Sequence, residues 1–174
     1  EYSTAVRISY IIQPLIVAQN AALGPMVAGL YYSDSRARLQ RITGLGVRLV
    51  GGAAFTIAIG IIIFGRSILG LLGDDFISAY PILIVLVCGN LLFALTGPAS
   101  MLLNMTGHHD LSVKALAISA GFNLVAALAL IPIYGAFGAA IATASTLVLW
   151  GGLMAHATWR HLEILSVFTI PWRR

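Results

Sequence analysis

Charged residues are scarce in this sequence. Only 9% of its 174 residues are Asp, Glu, Lys or Arg, whereas 59% are hydrophobic. Soluble globular domains carry about 25% charged residues. Ten basic and six acidic side chains are too few to cover a water-soluble domain of this size, so we expect lipid to be the solvent for much of the chain.

Several other features are scarce as well. Cys88 is the single cysteine, which excludes a disulfide framework within the chain. The sequence starts at Glu1, with neither an initiator Met nor a signal-peptide pattern, so we expect it to begin partway through a longer protein. The net charge of +4 is dispersed between apolar runs, unlike the clustered basic face of a nucleic-acid reader, and we expect no nucleic-acid partner.

Catalytic and metal-binding patterns are also missing. The sequence contains no Ser/His/Asp or Cys/His arrangement at a common membrane depth and no glycine-rich phosphate loop. The adjacent His108 and His109, followed by Asp110, do not have metal-ligand spacing, and we interpret them as a solvated turn. We therefore expect neither an enzyme, nor a cofactor, nor a metal site.

Long apolar runs are what the sequence does contain. A membrane-crossing helix needs about 20 mainly apolar residues, and five runs meet this requirement. They cover approximately residues 3–32, 45–64, 76–105, 111–131 and 136–158. The sequence thus predicts an all-α, polytopic transmembrane bundle of about five spans. The first and third runs are longer than a bilayer requires, so we expect kinks at Pro25 and Pro98, because proline removes a backbone donor and crowds the preceding turn.

The charges between these runs predict an orientation. Five spans place alternate connections on opposite sides of the membrane. One side collects Arg36, Arg38, Arg41, Arg48, Lys114, Arg160, Arg173 and Arg174, and the other receives Arg66 and Arg7. Because basic residues accumulate on the cytoplasmic side, we expect a cytoplasmic C-terminus.

Small and polar residues predict how the fourth and fifth spans pack. Lipid is as apolar as leucine, so helices in membranes associate through close contacts and polar pairs. The fourth span carries Asn123 on a stripe of small residues, and the fifth begins with Gly138. Between them, Pro132 and Gly135 form an uncharged connection, which predicts a minimal turn.

The first span carries the residues that we single out for function. At about 100° per residue, Arg7, Gln13 and Asn20 fall on one stripe, as expected of a helix that lines a wet cavity. A charge inside a span usually faces a cavity or a partner. Two other interpretations of Arg7 remain open: it snorkels to the membrane interface, or it forms an ion pair with a part of the protein outside this chain.

Several motifs resemble the polysaccharide-biosynthesis (O-antigen flippase-like) branch of the multidrug/oligosaccharidyl-lipid/polysaccharide exporter superfamily. One is the Tyr-x-x-Ala-x-Arg pattern that ends at Arg7. A second is Pro25 followed by Leu-Tyr-Tyr and a basic segment. The most specific runs from the Leu-Leu-Asn-Met-Thr-Gly sequence at 102–107 through Asn123 to the Ile-Pro-Ile-Tyr-Gly-Ala-Phe-Gly-Ala-Ala sequence at 131–140.

This resemblance covers nearly the whole chain and implies a fold and a function. The fold would be two six-helix halves, and this chain would match helices eight to twelve, in the C-terminal half, without the N-terminal half. The function would be transport of an undecaprenyl-pyrophosphate-linked oligosaccharide from the inner to the outer leaflet of the inner membrane by alternating access. Arg7 is the residue that the resemblance places near the pyrophosphate head group, and Gln13 and Asn20 would hydrogen-bond sugar hydroxyls. Membrane lipids and the N-terminal half would be the other partners.

Three alternatives remain. A membrane glycosyltransferase or ligase would need acidic or other catalytic residues grouped near one interface, and none are evident. A cation-coupled multidrug exporter of the same superfamily would need acidic residues inside the membrane, whereas every Asp and Glu here falls in a connection or at an end. A non-transport membrane scaffold or assembly subunit would use the polar stripe of the first span as a protein interface.

Overall fold

A computed structural model describes residues 2–32, 36–71, 73–96 and 98–162, and the elements in these ranges are all helical. In chain order they are α1 (Tyr2–Ser9), a 3-10 turn (Tyr10–Ile12), α2 (Gln13–Tyr32), α3 (Arg36–Leu71), a second 3-10 turn (Asp74–Ala79), α4 (Tyr80–Leu95), α5 (Ala99–Met105) and α6 (His109–Leu162). No strand occurs in the described ranges, and the all-α class is confirmed. Arg173 and Arg174, which contributed to the predicted orientation, lie outside the described residues.

The first helical segment is interrupted near its start. α1 ends at Ser9, and a 3-10 turn precedes α2, whose second residue is Pro14. Pro14 has no N–H to donate to the carbonyl of Tyr10, and its ring crowds that carbonyl, so the α-helical pattern breaks one turn earlier. α2 continues as helix through Pro25, and a bend at Pro25 stays a prediction.

α3 is longer than the span predicted within it. Its 36 residues extend about 54 Å at about 1.5 Å per residue, whereas the hydrocarbon layer is about 30 Å thick. Arg36 to Arg41, which the sequence analysis placed in a connection, form the first turns of this helix instead. Arg, Leu and Gln are good helix formers, and Leu39, Thr43 and Val47 are buried, so packing extends the helix beyond its apolar run.

The third predicted span is divided between α4 and α5. α4 ends at Leu95 and α5 begins at Ala99, with Pro98 immediately before it. Thr96 closes the end of α4, since its Oγ1 donates to the carbonyl oxygen of Phe93 at 2.6 Å. Proline cannot donate the next helical hydrogen bond, and the division lies at this predicted kink position.

α6 is a hairpin of two antiparallel helices joined at Gly135. Gly135 has φ 56° and ψ −131°, a conformation that glycine adopts at little cost. Residues equidistant from the turn face each other, as the hydrogen bond from Asn123 Nδ2 to Thr146 Oγ1 at 2.9 Å shows. We call residues 109–134 the first arm and residues 136–162 the second arm.

Two apolar clusters lie at opposite ends of the bundle. The Gly135-end cluster joins α1, the second half of α3, α4 and the second arm near its turn. Its buried members include Ala5, Ile12, Ala58, Ile61, Leu69, Leu83, Leu86 and Ala140. The α5-end cluster joins α2, the first turns of α3, α5 and the open end of the hairpin. Its buried members include Leu23, Val27, Leu39, Met101, Leu102, Leu103, Ala115 and Met154.

Within the described ranges, three helices are long and apolar enough to cross a membrane: Arg38–Leu71, Phe76–Leu95 and His109–His161. The last of these folds back at Gly135, so its two arms can each make a crossing. The architecture is therefore a polytopic helical bundle.

Candidate substrate-facing site

The segment formed by α1 and α2 has one buried face and one exposed face. Ala5, Ser9 and Ile12 are buried against α3 and α4. The exposed face includes Ser3, Arg7, Tyr10, Ile11, Pro14, Val17, Ala18, Ala21, Ala22 and Pro25. Arg7 is the one charged residue among these positions, so it projects from a face made mainly of apolar and small side chains.

Arg7 lies in the last turn of α1, with its side chain exposed. In the described part of the chain it forms no ion pair, and its guanidinium is free to bind a group from outside. Arginine always keeps its charge and presents a fork of donors that matches phosphate oxygens, so the group that Arg7 is best suited to bind is an anion.

Gln13 does not project with Arg7 but turns toward α4. Its Nε2 donates to Oδ1 of Asn90 at 3.2 Å, and Asn90 Nδ2 donates to the carbonyl oxygen of Leu86 at 2.9 Å. Asn90 is fully buried, so this amide pair fixes the start of α2 against the middle of α4. Asn90 was not among the predicted site residues, although an asparagine within the apolar run 82–95 is a signal that would have identified it.

Asn20 and its neighbour Gln19 are the two other amides of α2. Oδ1 of Asn20 is buried and has no hydrogen-bond partner among the residues that the structure describes, and the same holds for Nε2 of Gln19. Gln19 packs against α3, because a Cβ on Gly46 would lie 3.0 Å from its Nε2. Unpaired buried polar atoms cost free energy, so both side chains are available to a polar group that enters the bundle at this level.

The structure does not bring the three predicted site residues into one compact pocket. Arg7 and Gln13 are separated by about 9 Å along the helix axis, and Arg7 and Asn20 by about 20 Å, at about 1.5 Å per residue. No hydrogen bond joins any two of them in the residues that the structure describes. Arg7 faces outward, whereas Gln13 and Asn20 are half-buried. Their shared role in substrate binding stays a prediction.

A second interhelical polar pair lies in the α6 hairpin. Asn123 donates to Thr146, whose Oγ1 donates in turn to the carbonyl oxygen of Ala142 at 2.7 Å. Near the turn, a Cβ on Gly138 would overlap the backbone carbonyl of Leu130. The absence of a side chain at Gly138 therefore allows the two arms to approach closely just after the turn at Gly135.

His108 and His109 cap the opposite end of the hairpin. His108 Nδ1 lies 3.3 Å from Thr106 Oγ1, and its ring centroid is 5.6 Å from that of His161. His109 Nδ1 lies 3.3 Å from Asn104 Oδ1. Among the residues in the described ranges, no three His, Cys, Asp or Glu side chains form a group that could hold a metal ion.

Comparison with known proteins gives one informative similarity. The chain is 27% identical over 157 residues to a protein of Haloferax volcanii named Probable flippase AglR. The match covers 88% of this chain but 33% of that relative, so this chain spans about a third of the relative's length. No family model matches the chain, and no solved structure is significantly similar to it.

The similarity and the structure agree on a general class. A bundle of long apolar helices with a probable flippase among its relatives is a multi-pass membrane protein.

Proposed function

We propose that this chain is part of a flippase that moves a lipid-linked oligosaccharide, carried on undecaprenyl pyrophosphate, from the inner to the outer leaflet of the inner membrane. Three observations support this proposal: the apolar helical bundle, the similarity to a probable flippase, and the motifs that end at Arg7 and that surround Gly135. The one that carries it is the exposed Arg7, which forms no ion pair with any described residue and lies on an otherwise uncharged helix face.

The proposed architecture takes account of the length of the chain, which spans about a third of the probable flippase that it resembles. The segment from α1 to α2, α3, the segment from α4 to α5, and the two arms of α6 would form five spans, equivalent to helices eight to twelve of a twelve-helix protein. The first half of that protein would complete the transport cavity against the exposed face of α1 and α2. The unequal distribution of basic residues supports a cytoplasmic C-terminus.

The role of Arg7 follows from the cost of moving a pyrophosphate through lipid. Its negative charges need a cationic partner while they are out of water, and arginine supplies charge and paired donors together. Transport would proceed by alternating access, with two halves rocking about a central cavity. Gln13 and Asn20 would hydrogen-bond sugar hydroxyls at other depths of this cavity.

The test is complementation of a bacterium that lacks its own polysaccharide flippase. The full-length gene is expressed with Arg7 unchanged, with Arg7→Ala or with Arg7→Lys. We expect Arg7→Ala to reduce surface glycan at least tenfold and Arg7→Lys to retain part of the activity, because lysine keeps the charge but loses the fork of donors.

Arg66→Ala is the matched control, since Arg66 is also exposed and also lies at the Gly135 end, but on α3. It should leave surface glycan unchanged, and membrane abundance is measured for every variant. Full activity of Arg7→Ala would show that Arg7 is only an interfacial anchor. Failure of the unchanged protein in every matched glycan background would favour the multidrug exporter or the scaffold.

A further inference from the structure

One face of α3 combines basic and apolar side chains along its whole length, all of them exposed. At about 100° per residue they form a single stripe. Its members are Arg38, Arg41, Leu45, Arg48, Leu49, Gly52, Phe55, Ile59, Ile63 and Arg66. Three of the four arginines lie within the first 13 of the 36 residues of the helix, at the α5 end of the bundle.

The spacing of these arginines matches the layers of a membrane. Arg48 and Arg66 are about 27 Å apart at about 1.5 Å per residue, close to the hydrocarbon thickness of about 30 Å. The exposed residues between them carry no charge. Arg41 and Arg38 then lie about 10 Å and 15 Å beyond Arg48 along the axis, in the layer of lipid head groups and at its outer edge.

The basic end of this stripe is held rigidly. Leu39, Thr43 and Val47, on the opposite face of the same turns, are buried, and Leu39 packs in the α5-end cluster with Leu102 and Met154. This packing fixes which way the exposed face points. The arginines therefore stay on one side of an ordered helix, and they do not move independently as they would in a loop.

Among the residues that the structure describes, no carboxylate forms an ion pair with Arg38, Arg41 or Arg48. Leu45 and Leu49 lie between them, and Leu49 is 73% exposed. Their charge and their apolar neighbours are both presented outward.

We propose that Arg38, Arg41 and Arg48, together with Leu45 and Leu49, form a surface that binds anionic phospholipids of the adjacent leaflet. The guanidinium groups contact the phosphate oxygens of the head groups, while Leu49 contacts the upper part of the acyl chains and Leu45 lies at their border with the head groups. Clustered basic residues beside a membrane-crossing helix attract anionic lipids. Lipid is the occupant because the same exposed helix face continues directly to Phe55, Ile59 and Ile63. The apolar side chains of these residues face the hydrocarbon layer.

The test measures which lipids the full-length protein retains. The protein is placed in nanodiscs of equimolar phosphatidylglycerol and phosphatidylcholine. It is then released from the nanodiscs in a native mass spectrometer, and the lipids that remain bound to it are counted. We expect the wild type to retain phosphatidylglycerol preferentially. In the triple variant Arg38→Gln, Arg41→Gln, Arg48→Gln this preference should fall at least about fivefold. A single arginine near an anionic surface contributes about that much, so the loss of three should have at least this effect.

Three comparisons separate this surface from general charge effects. The double variant Arg66→Gln, Arg160→Gln removes exposed charges elsewhere and should lower the preference at most about twofold. Replacing the three arginines by lysine should retain most of it. High salt should reduce the preference of the wild type, because salt screens exposed charges.

The proposal is overturned if the triple glutamine variant retains phosphatidylglycerol as the wild type does, or if the double variant loses as much. Should the triple variant fail to fold, a wild-type preference that high salt leaves unchanged overturns it equally. None of these outcomes depends on what the protein transports.

Discussion

At the scale of the residue, Gly138 and Gly121 show how position decides the value of a glycine. Both lie in the α6 hairpin. A Cβ on Gly138 would overlap the carbonyl of Leu130, whereas a Cβ on Gly121 would meet nothing within 4 Å. The first glycine allows two backbones to approach, and the second only weakens the helix in which it lies.

We therefore predict opposite effects for two identical substitutions. Gly138→Ala should lower the free energy of unfolding by about 1–3 kcal/mol, because the backbone of Leu130 must shift to make room. Gly121→Ala should leave it unchanged or raise it by up to about 1 kcal/mol, since alanine favours a helix. Unfolding in mixed detergent micelles measures both, and equal losses would contradict the packing at the turn.

At the scale of the element, polar pairs join helices that apolar contacts alone would leave free to slide. The Gln13–Asn90 pair connects α2 to α4, and the Asn123–Thr146 pair connects the two arms of α6. In lipid the apolar faces have no preference for each other over the solvent, so such pairs fix the relative position of neighbouring helices.

The Gln13–Asn90 pair should appear as a coupling in a double-mutant cycle. We expect a coupling free energy of about 0.6 kcal/mol, the average for interhelical hydrogen bonds in membranes, from the stabilities of Gln13→Ala, Asn90→Ala and the double variant. Asn90→Ala should cost more than Gln13→Ala, because Asn90 is fully buried. A control cycle between Gln13 and Asn123, which form no hydrogen bond with each other, should give a coupling near zero. Equal values in both cycles would contradict the pairing.

At the scale of the whole molecule, the hairpin places the Gly135 turn and the α5–α6 connection at opposite ends. Ala140 lies in the Gly135-end cluster, and Met154 lies in the α5-end cluster. A membrane that contains both arms must therefore separate the turn from the histidines at 108 and 109.

Cysteine labelling tests this separation and the proposed orientation together. The exposed Cys88 is first replaced by alanine, and Tyr134→Cys and His109→Cys are introduced singly at exposed positions. In intact cells a membrane-impermeant maleimide should label Tyr134→Cys, and it should label His109→Cys only after permeabilisation. Labelling of both from outside would contradict a crossing by each arm, and the reverse pattern would invert the orientation while keeping the fold.

The sequence specified some local features and left others open. Gly135 acts through its own backbone freedom, so the sequence could place a turn there, whereas Pro132, which was predicted to belong to that connection, lies within the helix of the first arm. Arg36 to Arg41 were assigned to a connection because charge marks the end of an apolar run, yet helix propensity and the burial of Leu39 extend α3 through them. Asn90 was overlooked because its partner, Gln13, is 77 residues away in the chain.

The helical class and the membrane environment were therefore determined by the sequence alone, because apolar content and run length act without reference to any partner. Only the tertiary structure decided which face of each helix is buried. Arg7, Gln13 and Asn20 were predicted to share a stripe, although at about 100° per residue Arg7 lies about 120° from Gln13 and about 140° from Asn20. In lipid the buried and the lipid-facing sides are both apolar, and hydropathy does not distinguish them. The packing of α1 and α2 against α3 and α4 turned Gln13 toward Asn90 and left Arg7 exposed.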